Sequence, residues 1–128
     1  KLYMNQISAE RVKELLDSGK LDLLPTQTAI NLPIIKRICS KLQYGIHIDN
    51  IRVVGNIISN GHHRYICFKL LEIEVGIDDW TLNHSDVTYR WEDVQINELE
   101  IETPEMIEYH NIRDSEYNSV PIDILRNL

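Results

Sequence analysis

The chain of 128 residues contains little cysteine, and this excludes several classes of protein at once. The two cysteines, Cys39 and Cys67, form neither a CxxC pair nor a pattern of ligands with histidine, so neither a disulfide scaffold nor a zinc site is predicted. Both lie among aliphatic residues of predicted helices. We therefore expect two buried free thiols, which are consistent with a reducing, cytoplasmic site of action.

Long apolar runs are missing as well. No segment approaches the roughly 18 to 20 apolar residues of a membrane span, and no signal-peptide pattern follows Lys1. We therefore expect no membrane partner. Because the chain starts directly in sequence typical of a folded domain, it is interpreted as a domain excised or trimmed from a longer protein, and delivery as a secreted effector stays open.

Positive charge is the third shortage. Thirteen Lys and Arg against twenty Asp and Glu give a formal net charge of −7, which disfavours a broad, non-specific nucleic-acid surface. Most of the acid lies between Glu72 and Glu116, whereas the stretch from Arg37 to Arg64 is neutral to basic. A small anionic ligand is therefore expected to meet the first half of the chain, and the acidic half suits a basic partner or solubility.

The apolar pattern predicts a compact single domain over 1–128, of class α+β, with a small mixed sheet and flanking helices. The predicted elements are, in order, a helix capped by Ser8, an extended segment at 21–28, a helix from Pro33 to the residue before Gly45, a hairpin of strands 51–54 and 56–59, a helix over 62–73, a strand over 88–96, an edge strand at 98–102, and a last helix from Thr103 to about Arg113. On the second helix Lys36, Arg37 and Lys41 are expected to face water, and on the third helix Ile73 is expected to face the core.

The most informative stretch is Asn-Gly-His-His-Arg-Tyr at 60–65, where the hairpin leads into the third helix. It brings His62, His63 and Arg64 into the first helical turn, where the macrodipole is already positive and the N–H groups lack intrahelical partners. This arrangement is favourable when an anion binds to it, and a phosphate suits the backbone donors, the dipole and a guanidinium fork together. The stretch therefore predicts a phosphate site.

Each residue of this site has a chemical role in the hypothesis. Arg64 offers a planar fork for phosphate, and a histidine at a helix N-terminus should favour its neutral form, which can exchange a proton near neutral pH. Gly61 permits a positive φ or a close approach of the backbone to phosphate, and Asn60 belongs to the same turn. The competing interpretation is structural: His62 and His63 only cap the turn, and Arg64 pairs with an acidic neighbour.

Residues 21–75 resemble the ParB/sulfiredoxin-like superfamily, which includes the nucleotide-binding domain of chromosome-partitioning proteins, the sulfiredoxins, a free-serine kinase branch and ParB-like nuclease or toxin domains. The resemblance rests on a helix at 34–42, the strands Ile51-Arg52-Val53 and Ile57-Ile58, and the Gly61-His62-His63-Arg64-Tyr65 motif leading into a helix. It implies a ParB/sulfiredoxin-like core, with 76–128 as a strand and helix extension of the same domain. It also implies that the motif binds nucleotide phosphates, and that Thr26, Gln27 and Thr28 lie across the nucleotide from it.

The chain departs from the family in ways that disfavour three of its functions. Members with kinase activity generally have Asp where this chain has Asn60, and a Glu in the loop before the second helix, whereas the loop at 24–28 has no carboxylate. Sulfiredoxins have a catalytic cysteine where this chain has His62, so sulfinic-acid reduction is disfavoured. No helical DNA-binding domain follows the core, so a centromere-binding role is not expected.

The remaining candidate groups predict no metal site. The histidines outside the motif have no i, i+4 pairing, and a site that joins His62 and His63 to Asp78, Asp79 or His84 is the minority interpretation. Trp80 and Trp91 are interpreted as core or interface anchors. No Walker loop, dinucleotide fingerprint or Ser-His-Asp order is present.

Two functional hypotheses follow. The first is a phosphate- or nucleotide-binding domain that acts as an effector or toxin-type phosphodiesterase (a nuclease) or nucleotide hydrolase. In it Arg64 and the N–H groups of 61–64 hold the phosphate, and His63 or His62 acts as acid or base. Its expected cofactor is Mg²⁺ with ATP or CTP, and its partners are a nucleotide or nucleic-acid phosphate and, for a toxin, an immunity protein. The alternative is a non-catalytic nucleotide-sensing or protein-interaction module.

Overall fold

The computed structural model describes residues 6–82 and 86–128 and has the predicted α+β class. Over these residues it contains five α-helices, five short strands and a three-residue 3₁₀ turn at Trp91–Asp93. The helices are α1 (Ala9–Leu16), α2 (Leu32–Tyr44), α3 (His62–Leu70), α4 (Pro104–Asn118) and α5 (Ile122–Arg126). The strands are β1 (Ala29–Asn31), β2 (Ile51–Val54), β3 (Ile57–Asn60), β4 (Ile77–Asp79) and β5 (Gln95–Asn97). Among the helices of the described residues, none is long and apolar enough to cross a membrane.

The strands form two small sheets. In the three-stranded sheet, β2 lies in the middle, antiparallel to β3 and parallel to β4. The antiparallel pair is the predicted hairpin, and its turn contains Gly55 at φ +59°. The second sheet pairs β1 with β5 in parallel. Both parallel pairs join the first half of the chain to residues beyond 76.

The core lies between the helices and the hairpin. Ile35 and Cys39 of α2 meet Ile66 and Cys67 of α3, and all four are fully buried. Both cysteines are free thiols, as expected. Because α2 and α3 bury these faces against each other and the sheet, the start of α3 is fixed at the edge of the core.

Capping residues explain where three helices begin. Ser8, Asn31 and Thr103 each accept a backbone N–H from the first turn of α1, α2 and α4. The second helix therefore starts at Leu32, one residue before the predicted Pro33. It ends at Gly45, whose φ of +107° is the left-handed conformation that glycine adopts most readily.

Several predictions for the later part of the chain were wrong. Residues 88–96 are not one strand, because Trp91 begins a 3₁₀ turn, is buried, and donates its indole N–H to the Leu23 carbonyl at 2.6 Å. No strand covers 98–102. The third helix ends at Leu70, which leaves Ile73 exposed, whereas the fourth continues beyond Arg113 to Asn118.

Candidate functional site

A pocket of about 830 Å³ opens at the start of α3. Six of the eight predicted binding residues line one wall: Gln27, Asn60, Gly61, His62, His63 and Arg64. The segment 47–50 and one face of α4 also line the pocket, and Arg64 contacts the carbonyls of Asp49 and Asn50. This volume is typical of sites for small organic ligands.

Gly61 is the N-cap of α3 and has a φ of +103°. A Cβ at this position would lie 2.8 Å from Ile51 Cγ2 and 2.9 Å from the Arg64 Nη2 atom. Glycine is therefore needed both for the backbone conformation and for the close approach of Ile51. Because Gly61 has no side chain and no other side chain caps the helix, the first N–H groups of α3 are left for water or a ligand.

His62 is buried and neutral. Its Nε2 atom accepts the Thr26 N–H at 2.9 Å, and its ring lies edge-on to Trp91. Since a backbone N–H can only donate, the ring proton must be on Nδ1. Burial, with a smaller contribution from the adjacent His63, lowers the pKa of His62 to about 4.

His63 makes the equivalent contact with the other end of the same segment. Its Nε2 atom accepts the Asn31 N–H at 2.9 Å, so this ring also has its proton on Nδ1. Burial lowers the pKa of His63 to about 4; the Glu102 carboxylate opposes this shift and the Arg64 guanidinium adds to it. The two histidines thus hold both ends of residues 26–31.

These bonds define what the two imidazoles can offer a ligand. The neutral form was predicted from the helix dipole, and the direction agrees, but the main physical cause is burial. Both Nε2 lone pairs are engaged by backbone N–H groups, so a general base at Nε2 would first have to break its bond to Thr26 or Asn31. The Nδ1–H groups, in contrast, are hydrogen-bond donors.

Arg64 folds back over the pocket wall and pairs with neutral oxygens. Its Nη1 donates to the carbonyls of Asn50 at 2.7 Å and Asp49 at 3.2 Å, and its Nη2 donates to the Asn60 side chain at 2.9 Å. In the described part of the chain no carboxylate forms an ion pair with Arg64. The alternative interpretation, in which Arg64 pairs with an acidic neighbour, was therefore wrong on this point. These three bonds use three of the five N–H donors of a guanidinium.

Two further arginines raise the positive potential around Arg64. Burial lowers the pKa of Arg64; the nearby Asp49 carboxylate opposes this shift, and the smaller effects of the Arg52 and Arg113 charges add to it. Arg52 lies 4.0 Å above the Trp80 ring, and Arg113 is 3.6 Å from Asp49 at an exposed position. Among the described residues, Arg52 and Arg64 are therefore the arginines of this pocket without an ion-pair partner, whereas Arg113 is paired with Asp49.

Arg37 and Lys41 were predicted to face water, and this was wrong for both. Arg37 is partly buried and forms ion pairs with Glu100 and with Glu102, the latter at 2.7 Å. Lys41 is buried and lies 2.7 Å from Asp114 of α4. Their charges are compensated by these carboxylates, so they attach α2 to α4 and to the segment before it and add little to the positive potential of the pocket.

Thr26 and Thr28 do not line the pocket. The Thr26 hydroxyl donates to the Ile58 carbonyl at 2.8 Å, and its backbone N–H is bonded to His62. Thr28 is exposed, and its carbonyl accepts the Gln95 N–H. Of the predicted polar loop, Gln27 alone reaches the pocket.

Part of the pocket lining comes from a helix face that the sequence patterns did not single out. The face consists of Ile107, His110, Asp114 and Tyr117, spaced three or four residues apart along α4, with Arg113 beside Asp114. Glu102, just before the helix, lies 3.2 Å from His110 and also contacts Arg37. The helical spacing could have predicted this face. The predicted helix ended at about Arg113, however, and therefore left out Asp114 and Tyr117.

The metal-site interpretation joined His62 and His63 to acidic residues or to His84. Over residues 6–82 and 86–128, no three or more His, Cys, Asp or Glu side chains are arranged to hold a metal ion. His84 lies outside the described residues. A ready-made Mg²⁺ site is therefore not found in the part of the chain that the structure describes.

Comparison with protein-family models, with curated proteins and with solved structures gives no match to this chain. The ParB/sulfiredoxin-like resemblance of its motif therefore stays a prediction.

Proposed function

We propose that the chain binds the phosphate groups of a nucleotide in the pocket at the start of α3. The observation that carries this proposal is the environment of Arg64, a partly buried guanidinium that is hydrogen-bonded to neutral oxygens only. Arg52 and Arg113 act on it electrostatically. An anion at this point would compensate the charges of Arg64 and Arg52, which form no ion pair among the described residues, and would gain charge-assisted hydrogen bonds.

The donors that would hold the phosphate come from one short stretch. They are the two remaining N–H groups of Arg64, the uncapped backbone N–H groups of 62–64, and the Nδ1–H groups of His62 and His63. Arg52 and Arg113 would add longer-range attraction. This set contains donors and positive charge, which is the combination that polyphosphate needs.

Binding without turnover is the function that this geometry supports best. The lone pairs of His62 and His63 that could accept a proton are engaged, and the segment 24–28 has no carboxylate. Mg²⁺ would arrive with the nucleotide. The domain would then act as a nucleotide-sensing or partner-binding module.

An effector-type phosphodiesterase or nucleotide hydrolase is the second candidate. One observation favours it: His110 and Glu102 form a pair 3.2 Å apart in the lining of the same pocket, outside the motif. A histidine held by a carboxylate is a common general base, and here it would act on a water from outside the motif.

Replacement of Arg64 by alanine tests the phosphate site. We expect the affinity for ATP, CTP and inorganic tripolyphosphate to fall by about 10- to 100-fold, because charge-assisted hydrogen bonds contribute roughly 1.5–3 kcal/mol each. Isothermal titration calorimetry with the three ligands measures this. Arg64→Lys should recover part of the affinity, since it keeps the charge but loses the fork.

Arg90→Ala is the matched control, because Arg90 is exposed and pairs with Glu92 outside the pocket. Unchanged affinity in Arg64→Ala, with the thermal unfolding of both variants recorded, would refute the proposed site. Incubation of the wild-type chain with ATP, CTP, RNA and DNA in Mg²⁺ separates the two candidates. Turnover that is lost in His110→Ala would support the hydrolase.

A further inference from the structure

We infer that the pocket has a second, aromatic subsite, formed by His47 and Tyr117, that binds the planar ring of a phosphorylated ligand such as a nucleotide. This inference rests on the proposed phosphate site. The two rings are 5.6 Å apart between centroids and inclined by 31°, and both residues line the pocket. The Tyr117 residue is 63% exposed, so it offers a free ring surface to a ligand.

The subsite lies at a distance that one ligand could span. The Asn50 carbonyl accepts a hydrogen bond from Arg64, and His47 is three residues earlier in the same segment. Three residues of fully extended chain span at most about 10 Å. The backbone of His47 therefore lies within about 10 Å of the Asn50 backbone, which contacts the proposed phosphate-binding guanidinium.

The last residue of α4 holds His47 in place. The Asn118 side chain accepts the His47 N–H at 2.7 Å and donates to the His47 carbonyl at 3.0 Å. It also donates to the Asp114 carbonyl one turn earlier in α4. His47 is thus attached to the helix that carries Tyr117, and the two rings are organised before any ligand binds.

Part of the pocket lining is apolar and suits the organic part of a ligand. Ile34, Ile38, Ile48 and Ile107 line the same pocket. A volume of about 830 Å³ far exceeds the space that a phosphate group alone would fill, so most of the pocket is left for the rest of the ligand. Hydrogen-bond donors and arginines, isoleucines and an aromatic pair in one pocket together indicate a phosphate that carries a ring.

Titration of Tyr117→Ala with ATP, CTP and inorganic tripolyphosphate tests the subsite. We expect the dissociation constants of the nucleotides to rise by at least about fivefold, the lower end of the range for a base stacked on an aromatic side chain. Binding of tripolyphosphate should not change, because it has no ring. Tyr117→Phe should retain nucleotide affinity, since stacking does not need the hydroxyl.

Tyr44→Ala is the matched control, because Tyr44 is also about half exposed and lies outside the pocket. Nucleotide affinity unchanged in Tyr117→Ala but lost in Arg64→Ala would overturn the aromatic subsite and leave the phosphate site standing. An equal loss for nucleotides and tripolyphosphate would overturn it as well, since a structural role would explain that result. Nucleotide affinity unchanged in Arg64→Ala would instead overturn the proposed function.

Discussion

Helices α3 and α4 contribute to the same pocket but begin in opposite ways. The start of α4 is self-sufficient: the Thr103 hydroxyl accepts the Met106 N–H at 3.1 Å, and Glu105 places a negative charge in the first turn. The start of α3 has Gly61 as its N-cap, no side-chain cap, and cationic Arg64 in the first turn. The first arrangement opposes the helix dipole and the second adds to it.

The capped start of α4 serves the stability of the fold, whereas the uncapped start of α3 serves binding. A capped helix start has used its donors internally, which stabilises the fold but leaves little for a ligand. An uncapped start with positive charge is less stable by itself, and its unused donors become favourable when an anion binds. Among the four helices of eight residues or more in the described part of the chain, α3 alone has this second arrangement.

Gly61→Ala should produce the largest effect, because it alters the feature that makes the start of α3 unusual. The new Cβ would lie 2.8 Å from Ile51 Cγ2, and an L residue would have to adopt a φ of +103°. Backbone strain and overpacking each cost of order 1–3 kcal/mol, so we expect the free energy of unfolding to fall by about 3 kcal/mol. Urea denaturation measures this loss.

Gly55→Ala is its control. Gly55 also has a positive φ, of +59°, but a Cβ there would meet nothing within 4 Å. Only the backbone term applies, and it should cost about 1 kcal/mol. Equal losses in the two variants would show that the close approach of Ile51 is unimportant.

Lowering the pH should reduce the stability contributed by the start of α3. The cap of α4 should be unaffected, because the Thr103 hydroxyl does not titrate in this range. Burial lowers the pKa of His62 from 6.5 to about 4, so the unfolded chain binds more protons between these values. The stability due to neutral His62 is therefore complete above about pH 6.5 and is lost as the pH falls toward 4. Between pH 7.5 and pH 5 we expect His62 to account for about 2 kcal/mol of the loss measured by urea denaturation, and His63 to add to that loss.

His62→Gln isolates this contribution, because the glutamine oxygen can accept the Thr26 N–H and does not titrate. His63 shifts in the same direction and remains in the variant, so the pH dependence should become smaller without disappearing. A variant with the same loss of stability between the two pH values as the wild type would rule out His62 as its source.

Local signals predicted much of the region around α3. Gly45 ends α2, the hairpin surrounds Gly55, and α3 begins at His62, all as expected from turn and helix-end residues that act over a few positions. The predicted site residues that line the pocket come mainly from this region. The part of the site that is built from residues close together in the sequence could therefore be predicted.

Contacts between segments that are far apart in the sequence could not be predicted. Arg37 and Lys41 resemble a solvated helix surface until Glu100, Glu102 and Asp114 approach from more than 60 residues away. The parallel pairing of β4 with β2 likewise depends on contacts that no local pattern encodes. The roles of His62 and His63 as hydrogen-bond acceptors for 26–31 were missed for the same reason.

Thr103→Ala should give the smallest effect and sharpen the contrast between the two helices. It removes the hydroxyl that accepts the Met106 N–H, and loss of such a cap typically lowers stability by about 1 kcal/mol. Thr103 does not line the pocket, so tripolyphosphate affinity should stay at the wild-type value. Urea denaturation and calorimetry measure the two quantities, and Arg64→Ala should show the larger loss of affinity. A fall in tripolyphosphate affinity in Thr103→Ala would mean that the two helix starts are coupled, so that stability and binding are not divided between them.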